Sequence, residues 1–212
     1  MSDPSSGVEE TEALLKKYLS LLQGFTFGPV HSGPSKLRHL SKFKWTQMLQ
    51  GNTPLVYKDS LFEVISICQE FALWLTKHAA MVCAKEDPSL DDAKTAHTCL
   101  RKAAGVFRFV DAEYVHRLLE KPPQGSDLDS RVANAFVLQC TAEAQEITIA
   151  RAIELKHSPS LISALAYETS QTFLAAASAI KSVDQVIAGK WIKYMIFKSV
   201  FYEAYVSFHC DQ

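Results

Sequence analysis

The segment PPQGSDLD, residues 122–129, decides the predicted fold, because one long helix is expected to end before it and another to begin within it. Its two prolines and its glycine do not continue a helix. Ser126 and Asp129 have the spacing of a capping box, in which two side chains and two backbone amides at a helix start bond each other. We therefore predict one helix over about 90–120 and a second over about 127–157.

Helix starts with the same chemistry occur on both sides of this segment. Ser89 and Asp92 form a second capping box. Ser158-Pro159 joins a capping residue to a proline at the first helical position, which predicts a helix over about 159–181. Apolar residues at helical spacing predict further helices over about 9–23, 58–85 and 184–208.

Long helices joined by short loops pack antiparallel. The predicted fold class is therefore mainly all-α, an antiparallel array of helical hairpins similar in logic to a tetratricopeptide solenoid. Residues 1–8 read as a flexible tail, residues 9–212 as one domain, and residues 24–35 as a loop within it. Residues 42–49 (KFKWTQML) begin with alternating polar and apolar residues, and this pattern fits either a short strand or the end of a helix.

The last predicted helix is apolar on every side. Between Trp191 and Phe208, 13 of 18 residues are apolar or aromatic, and they do not form a single stripe. A helix of this kind requires neighbours all round. We predict that it exposes apolar surface, which a longer relative of this chain covers.

Charge and cysteine content exclude several classes of protein. The 22 Lys and Arg residues are balanced by 23 Asp and Glu residues, so the chain as a whole is not attracted to nucleic acid. The five cysteines stand singly, which is typical of reduced thiols. The polar first residues lack the pattern of a signal peptide, and no run of 18 uncharged apolar residues occurs. We expect a cytoplasmic protein with no transmembrane segment and no nucleic-acid partner.

No motif for a metal, a phosphate group or a hydrolase nucleophile occurs, so we expect no cofactor and no enzyme activity. Glu143 and Glu146 are the best alternative, as a catalytic or di-iron carboxylate pair, but the Glu-x-x-His of a di-iron site is missing. The favoured interpretation is that both are solvated and that Arg151 forms salt bridges nearby. Residues 42–45 interleave lysines and aromatics, which favours a buried aromatic pair with a solvated face over surface binding.

One apolar cluster favours binding of a partner. Leu161 and Leu165 lie one helical turn apart, next to Ile162, in the helix predicted over 159–181. The residues around them are small: Ser160, Ser163, Ala164 and Ala166. Two leucines among small side chains form a shallow groove that suits an incoming amphipathic helix. Core packing between hairpins is the alternative.

Four segments resemble the Bro-domain family: QCTAEAQEITIARAIELKH at 139–157, KLRHLSKFKWTQMLQG at 36–51, RKAAGVF at 101–107 and LISALAYET at 161–169. The resemblance covers about residues 12–208. It implies a curved array of helices on a tetratricopeptide-like core with a small sheet near one end, and it identifies residues 43–46 as a strand of that sheet. It also implies that the first strands and the last helices of the family domain are absent from this chain.

The resemblance also implies a function. Bro domains are protein-binding scaffolds for the C-terminal, acidic amphipathic helix of the charged multivesicular body protein of class four, an ESCRT-III subunit, in endosomal sorting and membrane remodelling. The implied groove is formed by the helices over 90–120, 127–157 and 159–181. Leu161 and Leu165 match its apolar pair, Lys94 matches a lysine that meets the acidic side of the ligand, and Thr148 replaces a phenylalanine of another member.

Two further expectations follow from the resemblance. Partners are expected to recruit the chain to endosomal or nuclear-envelope membranes. Only Asp211 and Gln212 follow Cys210, so the chain carries no prenylation motif of the CAAX type. The alternative function is that of a truncated isoform or paralogue without the binding activity, incompletely folded or regulatory.

Overall fold

The computed structural model describes residues 3–29 and 33–210. These residues form six α-helices and one two-stranded sheet, joined by loops. In chain order the elements are α1 (Val8–Thr26), β1 (Phe43–Gln47), β2 (Gly51–Tyr57), α2 (Ser60–Cys83), α3 (Leu90–Glu113), α4 (Ser130–Glu154), α5 (Pro159–Ala179) and α6 (Gln185–Cys210). A short 3-10 turn, Val115–Arg117, follows α3. The prediction of a mainly all-α fold is confirmed.

Helices α2 to α6 form an array in which each helix packs against the next one, and α1 packs against α2. Because the connections are short relative to the helices, consecutive helices run antiparallel. One hydrophobic core runs through the array from Leu15 of α1 to Tyr202 of α6. A second cluster, which includes Tyr57, Leu61 and Val110, lies beneath the sheet. The predicted array of antiparallel hairpins is confirmed.

The sheet is a single hairpin. β1 pairs antiparallel with β2, so that Phe43 lies opposite Tyr57 and Trp45 lies opposite Leu55. The strand predicted over residues 43–46 is confirmed. β2 was not predicted, because Gly, Asn and Pro, which are typical of turns, make up three of its first four residues.

The interleaved lysines and aromatics of β1 separate onto two sides. Lys42 and Lys44 are exposed, whereas Phe43 and Trp45 are half-buried against the second cluster. The indole N–H of Trp45 donates to Glu63 Oε2 on α2 at 2.6 Å. The hairpin is therefore held to α2 by its aromatic side, and its lysines are solvated.

Residues 122–129 form a turn instead of the predicted capping box. Gly125 bends the chain at φ 72°, and Ser126 Oγ donates to a carbonyl within the same turn at 2.7 Å. The cap of α4 is Asp129, whose carboxylate accepts from the backbone N–H of Arg131 at 3.0 Å and from that of Gly125 at 2.8 Å. Because the cap lies three residues later than Ser126, α4 begins at 130 rather than 127.

The other capping predictions are confirmed, whereas two helix ends are corrected. Ser89 Oγ accepts from the Asp92 N–H at 3.1 Å, and Asp92 Oδ2 accepts from the Ser89 N–H at 2.9 Å. Ser158 caps α5. The helix predicted to reach 120 ends at 113, where the 3-10 turn replaces it. The helix predicted to reach 157 ends at 154, because Lys156 takes the left-handed φ of 54° that terminates helices.

The start of the chain contacts α2. The indole N–H of Trp74 donates to the carbonyl of Asp3 at 2.9 Å, and His78 Nδ1 lies 2.6 Å from the carbonyl oxygen of Pro4. Residues 1–2 of the expected tail and residues 30–32 of the expected loop lie outside the described residues. The flexibility of residues 1–8 stays a prediction.

The apolar surface predicted for the last helix is confirmed within the described part of α6. Ile196, Phe197, Val200 and Phe201 are between 44% and 66% exposed. At this spacing the four side chains lie on one side of the helix, and their exposure shows that packing against α5 leaves this side open. What covers this surface in a longer relative stays a prediction.

Asp127 joins the hairpin to the connection between α3 and α4. Its carboxylate accepts from the Met48 N–H at 3.0 Å, its own N–H donates to Gln47 Oε1 at 2.8 Å, and its carbonyl accepts from Gln69 Nε2 at 2.7 Å. Burial raises the pKa of Asp127 to about 6; the Met48 hydrogen bond opposes this rise and the charge of Glu70 adds to it.

Stability should therefore depend on pH through Asp127. The folded chain holds this proton more tightly than the unfolded chain, so the stabilisation is complete below the ordinary pKa of 3.8 and is lost as the pH rises through about 6. Asp127→Asn keeps an oxygen acceptor for the Met48 N–H without a charge. We expect it to remove a pH dependence on the order of 1–3 kcal/mol from urea unfolding curves measured between about pH 4 and pH 7. An unchanged pH dependence would contradict the assignment.

Candidate partner-binding groove

The antiparallel array brings the predicted groove residues to one end of the molecule. Lys94 lies four residues after the start of α3, and Thr148 lies six residues before the end of α4. Leu161 and Leu165 lie two and six residues after the start of α5. Because α4 runs antiparallel to α3 and α5, its end lies beside their starts. At a rise of about 1.5 Å per residue, each of the four residues lies within roughly 9 Å of this end of the array.

A cavity of about 310 Å³ opens between α3 and α4 at this end. We call it the α3–α4 groove, and it is lined by Leu90, Ala93, Lys94, His97, Thr98, Ile147, Thr148 and Arg151. The structure thus brings Lys94 and Thr148 together. Leu161 and Leu165 are not among the residues that line this cavity, and they contribute apolar surface at the neighbouring start of α5.

The three apolar residues of α5 differ in exposure. Leu161 is 43% exposed, and Leu165 is half-buried against the main core. Ile162 is only 5% exposed and belongs to that core. The expectation that Ile162 contacts a partner is corrected, because its side chain already packs inside the array. Ile162 can support the surface around Leu161 without being part of it.

Thr148 bonds within its own helix. Its Oγ1 donates to the carbonyl of Ala144 at 3.3 Å, as threonines in helices commonly do. Because the hydroxyl is used there, the methyl group is what Thr148 can offer to an apolar ligand. This position supplies less apolar area than the phenylalanine implied for another family member.

The α3–α4 groove has a cationic rim. Lys94 Nζ lies 3.3 Å from Asp91 Oδ1, and both side chains are largely exposed. A pair of this kind contributes about 0–1 kcal/mol, so a ligand carboxylate can replace Asp91 at little cost. Arg151 forms an ion pair with Glu154, which confirms the salt bridge expected for it. Burial lowers the pKa of His97, and the charge of Arg101 adds to this effect, which favours the neutral imidazole.

The sequence prediction missed His97, Ile147 and Arg151. A helical-face argument could have found two of them, because His97 lies three residues after Lys94 and Arg151 lies three residues after Thr148. Ile147 carries no polar signal and looks like an ordinary core residue.

The prediction that the carboxylates of Glu143 and Glu146 are solvated is wrong. The Glu146 side chain is 19% exposed, and its Oε1 lies 2.5 Å from Lys198 Nζ of α6. Glu143 Oε1 accepts from Gln139 Nε2 at 2.7 Å and from the Tyr194 hydroxyl at 3.2 Å. Both carboxylates are partly buried because α6 packs beside this face of α4. Among the described residues, no three His, Cys, Asp or Glu side chains are placed to hold one metal ion.

The antiparallel helical array thus carries an open groove lined by apolar and cationic side chains, a surface of the kind that accommodates a helical ligand. None of the helices described over residues 3–29 and 33–210 has the length and apolar character needed to cross a bilayer. The sequence pattern of the BRO1-like domain family matches residues 5–212. The chain therefore belongs to the BRO1-like domain family, which confirms the resemblance found in its segments.

Relatives with this domain are known from several animals. The chain is 44% identical to the BRO1 domain-containing protein BROX of Homo sapiens over 205 residues, which cover 96% of this chain and 50% of that protein. It is 35% identical to the BROX homolog of Caenorhabditis elegans over 212 residues, covering 95% of this chain and 50% of that protein. The chain thus spans about half the length of the curated relatives it matches.

Two solved structures have a similar fold. One is described as the ALIX BRO1 CHMP4C complex; it is 20% identical with a TM-score of 0.67, over 79% of this chain and 46% of that chain. The other is described as the structure basis for endosomal targeting by the Bro1 domain; it is 24% identical with a TM-score of 0.70, over 98% of this chain and 54% of that chain. At these identities the likeness shows the fold alone.

Proposed function

We propose that this chain is a scaffold that binds the acidic, amphipathic C-terminal helix of the ESCRT-III charged multivesicular body protein of class four. The observation that carries the proposal is the position of exposed Leu161 at the same end of the array as the cationic Lys94 and Arg151. An acidic amphipathic helix presents the complement of this surface, an apolar stripe beside carboxylates. The solved complex of an ALIX BRO1 domain with CHMP4C supports the proposal by analogy of fold.

In cells, this binding would place the chain where ESCRT-III assembles, on endosomal or nuclear-envelope membranes. The membrane contact would come through the partner. The scaffold would then connect membrane remodelling to an adaptor or cargo protein that binds elsewhere on the array.

The energetics divide between apolar contact and charge. Covering a leucine side chain completely contributes about 1.5–3 kcal/mol. Leu161 is 43% exposed and can gain somewhat less than half of this, whereas Leu165 gains less still because it is already half-buried. Lys94 is exposed, so its charge raises the association rate and selects acidic ligands more than it adds affinity.

Leu161→Asp should weaken binding of a fluorescent peptide of that C-terminal helix by 30-fold or more. The substitution places a carboxylate in a desolvated contact and next to a ligand that is itself acidic. Fluorescence anisotropy with purified chain gives the dissociation constant, and circular dichroism establishes that the variant is folded.

Leu174→Asp is the matched control. Leu174 lies on the same helix and is 45% exposed against 43% for Leu161, but it is 13 residues, about 20 Å, further along α5. We expect this variant to bind like the wild type. If both variants are folded and bind the peptide with equal affinity, Leu161 is not part of the binding site. If the folded wild-type chain does not bind the peptide, the proposed function is wrong.

A further inference from the structure

A second cavity lies on the other side of the contact between α3 and α4. Its volume is about 440 Å³, and α2 and α6 contribute to its walls. It shares Ala93, Ile147 and Arg151 with the α3–α4 groove, so the two cavities flank the same pair of helices. Much of its lining is apolar, from small or aliphatic side chains that include Ala79, Leu100 and Ala150. A volume of this size is within the range of binding sites.

The charge of this second cavity is opposite to that of the first. Glu143, Glu146 and Glu154 all line it, at positions that fall on one face of α4. Arg151 pairs with Glu154, and Lys198 pairs with Glu146. We call the cavity the acidic groove.

Glu143 is the carboxylate of this cavity for which the described residues provide no direct ion pair. None of the ion pairs described for residues 3–29 and 33–210 involves it, and its hydrogen-bond donors, Gln139 and Tyr194, are neutral. Burial raises the pKa of Glu143, and the charge of Glu146 adds to the rise. The hydrogen bonds from Gln139 and Tyr194 oppose it, as does the charge of Lys198, whose ammonium pairs with Glu146. A partly buried carboxylate in an apolar-lined cavity is stabilised by a cation that arrives from a partner.

The chemistry of the cavity selects the kind of cation. Arginine and lysine carry their charge on aliphatic stems, which match the apolar lining while the charged end reaches the carboxylate. The Tyr194 ring, 40% exposed beside Glu143, adds an aromatic face of the type that guanidinium groups contact. A bare metal ion would find too few oxygen ligands at this position, because Glu143 offers one carboxylate beside neutral donors.

The walls also select the conformation of the partner. The acidic groove lies between helices, whose backbone N–H and C=O groups are bonded within each helix. An extended strand would gain no main-chain hydrogen bonds there, whereas a helical ligand satisfies its own backbone groups.

We propose that the acidic groove docks a second, basic amphipathic helix, with an arginine or lysine side chain paired to Glu143 beside Tyr194. The chain then has two neighbouring grooves of opposite charge, one for an acidic helix and one for a basic helix. This second site does not depend on the proposed ESCRT-III function.

The test uses the tryptophans of the full chain as position markers. The chain has three, and each indole N–H has a different partner: Glu63 for Trp45, Asp3 for Trp74 and Gln139 for Trp191. Gln139 also bonds Glu143, so the Trp191 resonance reports on the acidic groove. The probe is a designed helical peptide with leucines on one face and arginines one turn away, and its counterpart carries glutamine in place of arginine.

Titration with the arginine peptide should shift the indole resonance of Trp191 and leave those of Trp45 and Trp74 in place. Glu143→Gln keeps the hydrogen bonds to Gln139 and Tyr194 but removes the charge, and it should weaken binding of the arginine peptide tenfold or more. The glutamine peptide should bind weakly and equally to the wild type and to Glu143→Gln.

Two controls separate this site from others. Leu161→Asp should leave binding of the arginine peptide unchanged, because that side chain is not in the acidic groove. Glu168→Gln, an exposed glutamate of α5, should also have no effect. The proposal is overturned if the arginine peptide does not bind, if Glu143→Gln binds it like the wild type, or if Leu161→Asp abolishes binding.

Discussion

Asp59→Ala should lower the free energy of unfolding by about 3–5 kcal/mol, because it leaves a buried arginine without its counter-charge. Asp59 and Arg38 form two hydrogen bonds of 2.7 Å each, and their side chains are only 4% and 9% exposed. Asp59 also caps α2, accepting from the Leu61 N–H at 2.8 Å. In the variant, the guanidinium of Arg38 keeps the carbonyl of Arg117 as an acceptor but loses both charged contacts.

The matched control is Asp91→Ala. Asp91 also lies at a helix start in an ion pair, but its side chain is 90% exposed and its partner Lys94 is 66% exposed. Exposed pairs contribute about 0–1 kcal/mol, so this variant should unfold near the wild-type urea concentration. If urea unfolding shows the same small loss for both variants, the Arg38–Asp59 pair does not hold the segment before β1 to α2.

Phe107→Ala should destabilise the chain by a similar amount, about 3–5 kcal/mol, because it opens a cavity in the centre of the array. Phe107 of α3 is 2% exposed and stacks on Phe136 of α4 at a centroid distance of 4.8 Å. Phe136 in turn contacts Trp191 of α6 at 4.6 Å. Three helices therefore meet through this row of rings, and truncating its first member removes contacts that neighbouring side chains cannot restore.

Phe109→Ala serves as the comparison for this second variant. Phe109 lies two residues away on the same helix, is 53% exposed and has an edge-on contact with Tyr114 at 5.4 Å. Its loss should cost about 1 kcal/mol or less. Thermal or urea unfolding of both variants distinguishes the two positions, and a loss at Phe107 no larger than that at Phe109 would show that the core relaxes around the truncation.

Helix starts were predictable because their chemistry is local. The capping groups of Ser89 and Ser158 lie within three residues of the amides they bond, so the sequence contains the whole interaction. The turn over 122–129 was misassigned because two candidate caps, Ser126 and Asp129, lie three residues apart. The choice between them depends on the bend at Gly125, which the pattern of residue types does not reveal.

Features that depend on distant contacts were not predictable in the same way. β2 is held by pairing with β1 and by the cluster beneath the sheet, and its own composition favours a turn. The burial of Glu143 depends on Tyr194, 51 residues away. The resemblance supplied Lys94 and Thr148, and the structure added Arg151, whose role depends on how α3 packs on α4.

In the array from α2 to α6, every helix pair with extensive contact is also a pair of neighbours along the chain. Contacts of this kind give a low contact order, so native contacts form without closing long loops and we expect fast folding. Partial unfolding is also expected to begin at the ends of the array, where a helix has fewer neighbours. Detaching α6 breaks its contacts with α5 and α4, whereas opening α4 breaks contacts with α3, α5 and α6. Because α4 is the central helix of the array, we expect its backbone amides to be the last to exchange with solvent, and both grooves have this helix as a wall.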